Sequence, residues 1–463
     1  MTGRSSGARR SDASPVPGAI RPPSNSTPVS AVGFQRALAF AEHAAFSWEC
    51  RRSVARSSAV TFEVLARLDE RVSRLVYKLS ERPVLADRLL RHDHAAFRSG
   101  LAFVTAVVAL RGGVFEVFEE QLTQLESDPT LLAPLASALS WLEYSDVRPH
   151  IEHLLGASSP ALLRLGVVAT VAQRVDPGVA LARALDAKPP ALRASALEAV
   201  GRLALRDFLP RLHAAFEDED DTCRFWAAWS AVRLGEHEGI RVLGRFATEG
   251  GAFAIPACNI ALRALDADQA VRTHARLLSV TGNERLALVA AGIIGDPALV
   301  SRLLDAMESP MLARRAGAAF CLMTGCDLRQ NDLDAEGPPR ETAAPDAVPQ
   351  VVAGNEKAAA QLTREAGDSL DDESDDDLAW PDNARLRQWW DEHRSAYVRG
   401  VRYLSGLPIR PAQMAQVLRT GNQQQRAAAS LELALLNPHA PWLDVTAPAH
   451  RQVGASGGYS PPW

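Results

Sequence analysis

The chain has few of the residues on which disulfide-linked and β-sheet folds depend. Aromatic residues make up 6% of the 463 positions, while small and aliphatic side chains carry most of the apolar character. That bias favours closely packed helices over sheets, which prefer aromatic and β-branched residues. There are only five cysteines, an odd number without a Cys-x-x-Cys pair, at Cys50, Cys223, Cys258, Cys321 and Cys326. A secreted disulfide framework is therefore not expected.

Lysine is also scarce, occurring only at Lys78, Lys188 and Lys357, so arginine supplies nearly all positive charge. The net charge of -5 argues against a dominant polyanion-binding role, because neutralising phosphates requires a concentrated basic surface. Two interpretations of the arginine bias stay open. It reflects the base composition of the genome, or arginine is preferred at carboxylate and phosphate contacts.

No stretch reaches the roughly 18 apolar residues needed to cross a bilayer. Residues 1–32 are rich in Ser, Pro and Arg and lack the apolar region of a signal peptide. We therefore expect a disordered tail over 1–32, no membrane insertion and a cytoplasmic location.

What the sequence does contain is a repeat of about 30 residues between positions 128 and 333. Its copies begin at Pro160, Pro190, Asp221, Ala254, Glu284 and Met311. A period of that length with two helical segments per unit predicts a helical solenoid, in which each unit buries its apolar face against its neighbours.

The regions on either side of the repeats differ in character. Residues 33–127 show helical spacing, and the nearly wholly apolar run Leu101–Leu110 predicts a helix buried on all sides. Residues 334–378 include the acidic run Asp368–Asp377 and predict a flexible linker. Helices should return over 379–452, as one more repeat that caps the solenoid end, before a disordered end at 453–463.

The acidic run itself has three open interpretations. It is a solvated linker, it attracts a basic partner, or it occupies an arginine-rich groove of the same chain.

Six residues are candidates for partner binding. Arg164, Arg193 and Arg224 occupy equivalent positions in successive repeats and should form a ladder, which either pairs with the protein's own acids or presents a cationic stripe to a carboxylate or a nucleic-acid backbone. Trp226 and Trp229 share one helix face, and they line a groove or fill the inter-repeat core. Trp389 and Trp390 point about 100° apart on a helix, so one ring should anchor the segment while Trp390 meets a partner.

No motif predicts a catalytic, cofactor or metal site. The chain contains no GxSxG, Walker-type loop, HExxH or dinucleotide fingerprint. His92-Asp93-His94 lacks a third ligand at recognisable spacing. His237-Glu238 is a single pair, whereas helical-repeat di-iron hydroxylases need several.

Taken together, several motifs resemble an uncharacterised proteobacterial family of HEAT-repeat proteins with repeats of the PBS-lyase type. They are Glu42–Trp48, Leu65–Arg71, Val175–Gly178, Arg224–Trp229, Leu322–Leu328, Trp380–Asp382, Trp389-Trp390, Arg402–Gly406 and Arg426–Leu435. The resemblance implies an all-α HEAT-like solenoid without an established activity. It also implies an accessory role near type VI secretion components. The Ser/Pro-rich start and the Tyr77–Ser80 stretch depart from the family pattern.

These observations favour a non-catalytic scaffold or adaptor that binds a protein partner of unknown identity through the concave solenoid face, in an oligomeric state that the sequence leaves open. The alternative is an enzyme on a HEAT scaffold or a nucleic-acid-binding protein. A bilin lyase would need a pocket for a tetrapyrrole. A DNA glycosylase would need a contiguous basic groove with aromatic residues and an acid, and the near-neutral charge weakens that alternative.

Overall fold

A computed structural model describes residues 31–57, 60–91, 97–337 and 378–455. The first 30 residues, the His92–His94 motif, the acidic run and the last eight residues lie outside these ranges, so the expectations placed on them are not addressed.

The N-terminal region is helical, as predicted. It holds α1 (Ala31–Val54), α2 (Phe62–Ser80), α3 (Val84–Leu90), α4 (Arg98–Gly112) and α5 (Phe115–Ser127). Helix α4 lies deepest, because residues 101 and 103–110 are all buried.

The repeats form helices at the predicted positions, joined by short turns and 3-10 segments. They are α6 (Leu132–Trp141), α7 (Tyr144–Gly156), α8 (Pro160–Gln173), α9 (Val179–Leu185), α10 (Pro190–Arg202), α11 (Leu209–Ala214), α12 (Asp221–Arg233), α13 (Glu238–Glu249), α14 (Ala254–Ala264), α15 (Ala267–Leu278), α16 (Glu284–Ile294), α17 (Val300–Ala306) and α18 (Ala313–Thr324).

These helices stack in two layers. The even-numbered helices α4 to α18 pack on one another in sequence and form an inner layer, while the odd-numbered helices α5 to α17 form an outer layer. Small residues permit the close packing of the inner layer. A Cβ placed on Gly201 would lie only 2.7 Å from Cβ of Ser230 on the next inner helix, so a larger residue there would push the two helices apart.

The C-terminal region contains the predicted helices together with a hairpin that the sequence did not suggest. The elements are α19 (Asn383–His393), β1 (Tyr403–Leu404), β2 (Leu407–Pro408), α20 (Pro411–Thr420), α21 (Gln423–Leu436) and α22 (Ala449–Ala455). The antiparallel hairpin rests on helix ends of the solenoid, since Tyr403 N–H donates to the Gly295 carbonyl at 2.9 Å and Ser405 N–H to the Leu322 carbonyl at 2.8 Å.

Besides packing on the solenoid end, where the sequence predicts a cap, this region also reaches back to the N-terminal helices through α21. Gln423 N–H donates to the Val60 carbonyl at 2.7 Å, and Glu432 on the same helix binds Arg263 of α14. The 14 residues of α21 span about 21 Å. The path from α1 to α14 through the inner layer takes six helix-to-helix steps of roughly 8–10 Å. The solenoid is therefore a strongly curved arc whose two arms α21 connects.

After α21, residues 437–448 run back across the arc as a segment without helix or strand, with turns at 438–440 and 445–447, which we call the strap. Its far end is fixed at α2, where Ala449 N–H donates to Asp69 Oδ2 at 2.6 Å. The strap thereby crosses the C-terminal ends of the inner-layer helices.

Candidate functional site

The inner face of the arc encloses a groove of about 440 Å³, which we call the inner groove. Helices α6, α8, α10 and α12 form its floor, the end of α1 closes one side, and the strap forms a rim. Helices α1 and α12 are far apart along the stack of helices. They line one cavity because the arc is strongly curved.

Each floor helix contributes residues spaced three or four apart, which lie on a single helix face. On α8 these are Arg164, Val168 and Val171, and on α10 they are Ala191, Ala194 and Glu198. The floor is thus an apolar strip of small and aliphatic side chains with charged side chains at its edges.

Positive charge predominates around the groove. Three carboxylates line it, Glu198, Asp220 and Asp444, together with three tryptophans, Trp141, Trp226 and Trp442. Seven arginines line the same groove and outnumber the carboxylates: Arg51, Arg52, Arg56, Arg164, Arg174, Arg202 and Arg451. Arginine beside tryptophan on a desolvated floor is the composition that concentrates binding energy at protein interfaces.

A row of arginines at the C-terminal ends of the inner helices contacts the strap and α21. We call it the C-terminal arginine row, and it consists of Arg174, Arg202, Arg233 and Arg263, spaced by the repeat. Arg174 donates to the carbonyls of Pro441 and Trp442 at 3.3 and 3.1 Å. The guanidinium carbon of Arg202 lies 4.5 Å from the Trp442 ring centroid.

The other two members of the row, Arg233 and Arg263, contact residues that come earlier in the C-terminal chain. Arg233 Nη1 donates to the Pro438 carbonyl at 3.2 Å, and its Nη2 donates to the carbonyl of Ala440. Arg263 Nη1 binds Glu432 Oε1 at 2.8 Å. Arg174 and Arg202 thus contact residues 441–444, and the two later repeats contact earlier positions of the chain.

Helix physics accounts for this placement. The last carbonyls of a helix have no partner within it, and they carry the negative end of the helix dipole. Arginines in the last turn are favoured there, and Trp442 N–H supplies a partner to the Arg202 carbonyl at 2.8 Å. Arg174 is a C-cap with φ of 58°, a left-handed conformation that glycine usually takes. Contacts with the strap offset the cost of that conformation, of order 1 kcal/mol.

Burial changes the acid–base properties of the row. It lowers the pKa of Arg174, although nearby Asp444 opposes the shift. It lowers the pKa of Arg233 to about 10. Both groups stay protonated at neutral pH, but their charge is poorly solvated.

Two of the six predicted binding residues line the inner groove. Arg164 lies at its edge, with Nε donating to Ser195 Oγ at 2.9 Å. Trp226 is 4% exposed and contributes to the wall near α12.

Arg193 and Arg224 do form the expected ladder with Arg164, near the N-terminal ends of α8, α10 and α12, but both lie outside the groove lining. Arg193 holds Asp218 through two hydrogen bonds of 2.8 and 3.0 Å. Arg224 donates to the Asp218 carbonyl at 2.7 Å and pairs with Asp221. Intramolecular pairing, one of the two open interpretations of the ladder, describes these two arginines, and their use as partner contacts stays a prediction.

Trp229 packs inside the protein, and Trp390 is half-buried against the end of the solenoid. Trp229 is 6% exposed and contacts the rings of Trp226 and Trp442 at centroid distances of 5.4 and 5.6 Å. Trp389 and Trp390 both contact Phe320, at 5.7 and 6.2 Å. Both rings of this pair therefore anchor the segment on α18, and contact of Trp390 with a partner stays a prediction.

The C-terminal arginine row was missed from the sequence although its signal is periodic. Arg174, Arg202, Arg233 and Arg263 recur about every 30 residues, like Arg164, Arg193 and Arg224, but one helix length later. An arginine in the last turn or at the C-cap of four successive inner helices, α8, α10, α12 and α14, was a usable sign. The strap was not foreseeable, since a segment without helix or strand has no periodic pattern.

In the described ranges, no group of three or more His, Cys, Asp or Glu side chains is arranged to hold a metal ion. Among the helices of those same ranges, none combines the length and the apolar character required to cross a bilayer.

Comparison with known families identifies HEAT repeats over residues 179–254. That stretch covers α9 to α13, the part of the solenoid that carries the floor of the inner groove on α10 and α12. The comparison with curated proteins gives no match. The chain is thus an all-α helical-repeat solenoid of HEAT-like architecture, with recognised HEAT repeats at its centre.

Proposed function

We propose that the protein is a non-catalytic scaffold whose inner groove binds an extended, acidic segment of a partner protein. The observation that carries this proposal is the strap. It is a segment without helix or strand that lies against the inner helices, and its main-chain carbonyls accept hydrogen bonds from arginines of separate helices, Arg51, Arg174 and Arg233. The same face is suited to a second polypeptide segment beside it.

The chemistry of the remaining groove indicates what that segment carries. The apolar floor favours aliphatic or aromatic side chains. The surplus of arginines over carboxylates favours aspartate or glutamate, because guanidinium binds carboxylate through paired, charge-assisted hydrogen bonds. HEAT repeats present extended surfaces of this kind to partner proteins.

A selection from random peptides tests the proposal, because it does not require the partner to be identified first. The full chain is used to select binders from a phage library of random 12-residue peptides, and the best binder is synthesised with a fluorescent label. Its affinity is then measured by fluorescence anisotropy for wild type and for Arg164→Glu. The matched control is Arg148→Glu on outer helix α7, whose side chain is 61% exposed.

We expect selected peptides to be rich in Asp and Glu next to an apolar residue. Arg164→Glu should weaken binding at least about tenfold, or 1.4 kcal/mol, while Arg148→Glu leaves it unchanged. Absence of selected peptides, or equal effects of the two variants, would contradict the proposal. Salt-sensitive binding of duplex DNA at comparable affinity would instead support the nucleic-acid alternative.

Two finer elements belong to the proposal. A cytoplasmic location comes from the sequence, which has no apolar span or signal-peptide region, and an accessory role in type VI secretion comes from the family resemblance. Loss of secretion on deletion of the gene, restored by wild type and not by Arg164→Glu, is the expected result. Normal secretion in the deletion strain would remove this element and leave the groove proposal intact.

A further inference from the structure

Arg233 differs from other buried arginines of the inner face. Its residue is fully buried, yet within the described ranges no carboxylate pairs with it, and its Nε has no hydrogen-bond partner there. By contrast, Arg51 pairs with Asp69 and Arg263 with Glu432, each at less than 3 Å. Within those same ranges, Arg233 donates hydrogen bonds to the strap carbonyls of Pro438 and Ala440.

Neutral carbonyls are weak partners for a buried charge. A carboxylate would supply two parallel, charge-assisted hydrogen bonds and an opposite charge, which compensate desolvation far better. Arg233 is therefore a guanidinium whose preferred ligand is absent from its surroundings in the described chain.

The part of the strap above Arg233 is held weakly compared with the rest. Asn437 and His439 are exposed, and Pro438 and Ala440 are half-buried. Further along, Val445 is 2% exposed, and its carbonyl accepts hydrogen bonds from both Gln423 and Gln452. The first half of the strap can thus lift while the second half stays anchored.

Cavities lie near both ends of residues 437–441, the part of the strap that covers Arg233 and that we call the cover. The inner groove borders Trp442 and Arg202 on one side. On the other side, a cavity of about 450 Å³ is lined by Val232, Gly235 and Leu435. A Cβ placed on Gly235 would lie 3.6 Å from Cγ of Pro438, and Trp442 borders the inner groove, so residues 438–442 run from the edge of one cavity to the edge of the other.

We propose that Arg233 is a covered recognition site for an Asp or Glu side chain of the partner segment, which displaces residues 437–441 of the strap when it binds. The inference rests on the proposed function. It adds the residue that binds the acidic side chain, Arg233, and a strap segment, residues 437–441, that competes with the partner for this residue. Burial, which lowers the pKa of the Arg233 guanidinium to about 10, agrees with a charge that lacks its counter-ion.

The first test uses the wild-type chain and the best-binding peptide from the phage selection. Hydrogen–deuterium exchange is measured by mass spectrometry with and without that peptide. We expect faster exchange at residues 437–444 in the bound state, with no change at 449–453. Unchanged or slower exchange at 437–444 would overturn the proposal, because the cover would then have stayed in place.

The second test uses substitutions. Arg233→Met retains the approximate volume and removes the charge, and should weaken peptide binding at least about tenfold. Its control is Arg148→Met. The variant Pro438→Gly with Pro441→Gly raises the entropy of the lifted strap, and should tighten binding about threefold or more.

The peptide with its Asp and Glu replaced by Asn and Gln should bind Arg233→Met and wild type equally. Retained affinity of Arg233→Met for the acidic peptide, together with lost affinity of Arg164→Glu, would overturn the Arg233 site and leave the proposed function standing. Full affinity in both variants would remove the proposed function as well.

Discussion

Arginine has two distinct roles at the residue scale, and they follow from its position on the inner helices. Near the helix N-termini, Arg193 holds Asp218 in the loop before α12, and Arg224 pairs with Asp221 of its own helix. At the C-termini, Arg174 and Arg233 hold main-chain carbonyls of the strap. The planar guanidinium suits both tasks, because its five N–H groups reach several acceptors at once.

Arg193→Ala should therefore reduce stability. The residue pairs with Asp218, for which burial alone would raise the pKa, whereas the bonds from Arg193 and Asp220 N–H lower it below its ordinary value. Removing Arg193 leaves a largely buried carboxylate without its counter-ion, and we expect a loss of about 1–3 kcal/mol in the free energy of unfolding. Urea denaturation measures it. Arg148→Ala, at an exposed pair, should change stability by less than about 0.5 kcal/mol, and equal losses would contradict the account.

His274 should make stability depend on pH. Burial lowers the pKa of its imidazole, the Ala287 carbonyl opposes the shift, and Arg302 adds to it. The unfolded state therefore binds more protons near the ordinary His pKa of 6.5. Stability should fall as pH decreases below about 6.5, by at most ~1.4 kcal/mol per pH unit from this residue. Urea unfolding from pH 7.5 to 5 of wild type and His274→Gln isolates this contribution, and parallel curves for the two proteins would refute it.

At the element scale, the repeating helices were predictable and the connections between distant parts were not. Helices α8, α10, α12, α14, α16 and α18 start where the 30-residue period places them, because each helix depends on its own sequence and its neighbours. The hairpin at Tyr403–Pro408 has strands of two residues each. Strands that short carry no alternating pattern, and their hydrogen bonds go to helix ends more than 80 residues away.

The ion triad that joins this hairpin region to the solenoid should be essential for stability. Glu432 on α21 binds both Arg263 and Arg402, at 2.8 and 2.5 Å, and all three side chains are largely buried. Glu432→Gln preserves the shape but removes the charge between two arginines, and should cost about 3–5 kcal/mol of unfolding free energy. Glu70→Gln, at an exposed pair with Arg74, serves as control in the same thermal and urea experiments. Similar effects of the two substitutions would show that the triad is dispensable.

At the scale of the whole molecule, α21 and the strap convert an open array into a closed arc. A stack of repeats contacts only its neighbours along the chain, so its two ends can unfold independently. Here Asp69 on α2 binds Arg51 and also Ala449 beyond the strap, which couples the ends. A repeat pattern cannot predict such closure, because curvature accumulates from small rotations at each helix pair.

Asp69→Ala tests this coupling. Wild type should unfold in one transition, with coincident curves from circular dichroism and from tryptophan fluorescence. In the variant, the N-terminal helices should separate from the rest, and the two signals should no longer coincide. Coincident curves in the variant, at any midpoint, would show that the ends are not coupled through Asp69.

The most direct test of the central claim, that the inner groove is the binding surface, is arginine footprinting. Phenylglyoxal modifies arginines, and mass spectrometry reads the extent at each site with and without an arginine-free selected peptide. We predict protection of Arg52, Arg56 and Arg164 in the inner groove, and none at Arg148 and Arg211 on outer helices, whose side chains are 61% and 52% exposed. Protection confined to the outer helices would contradict the account.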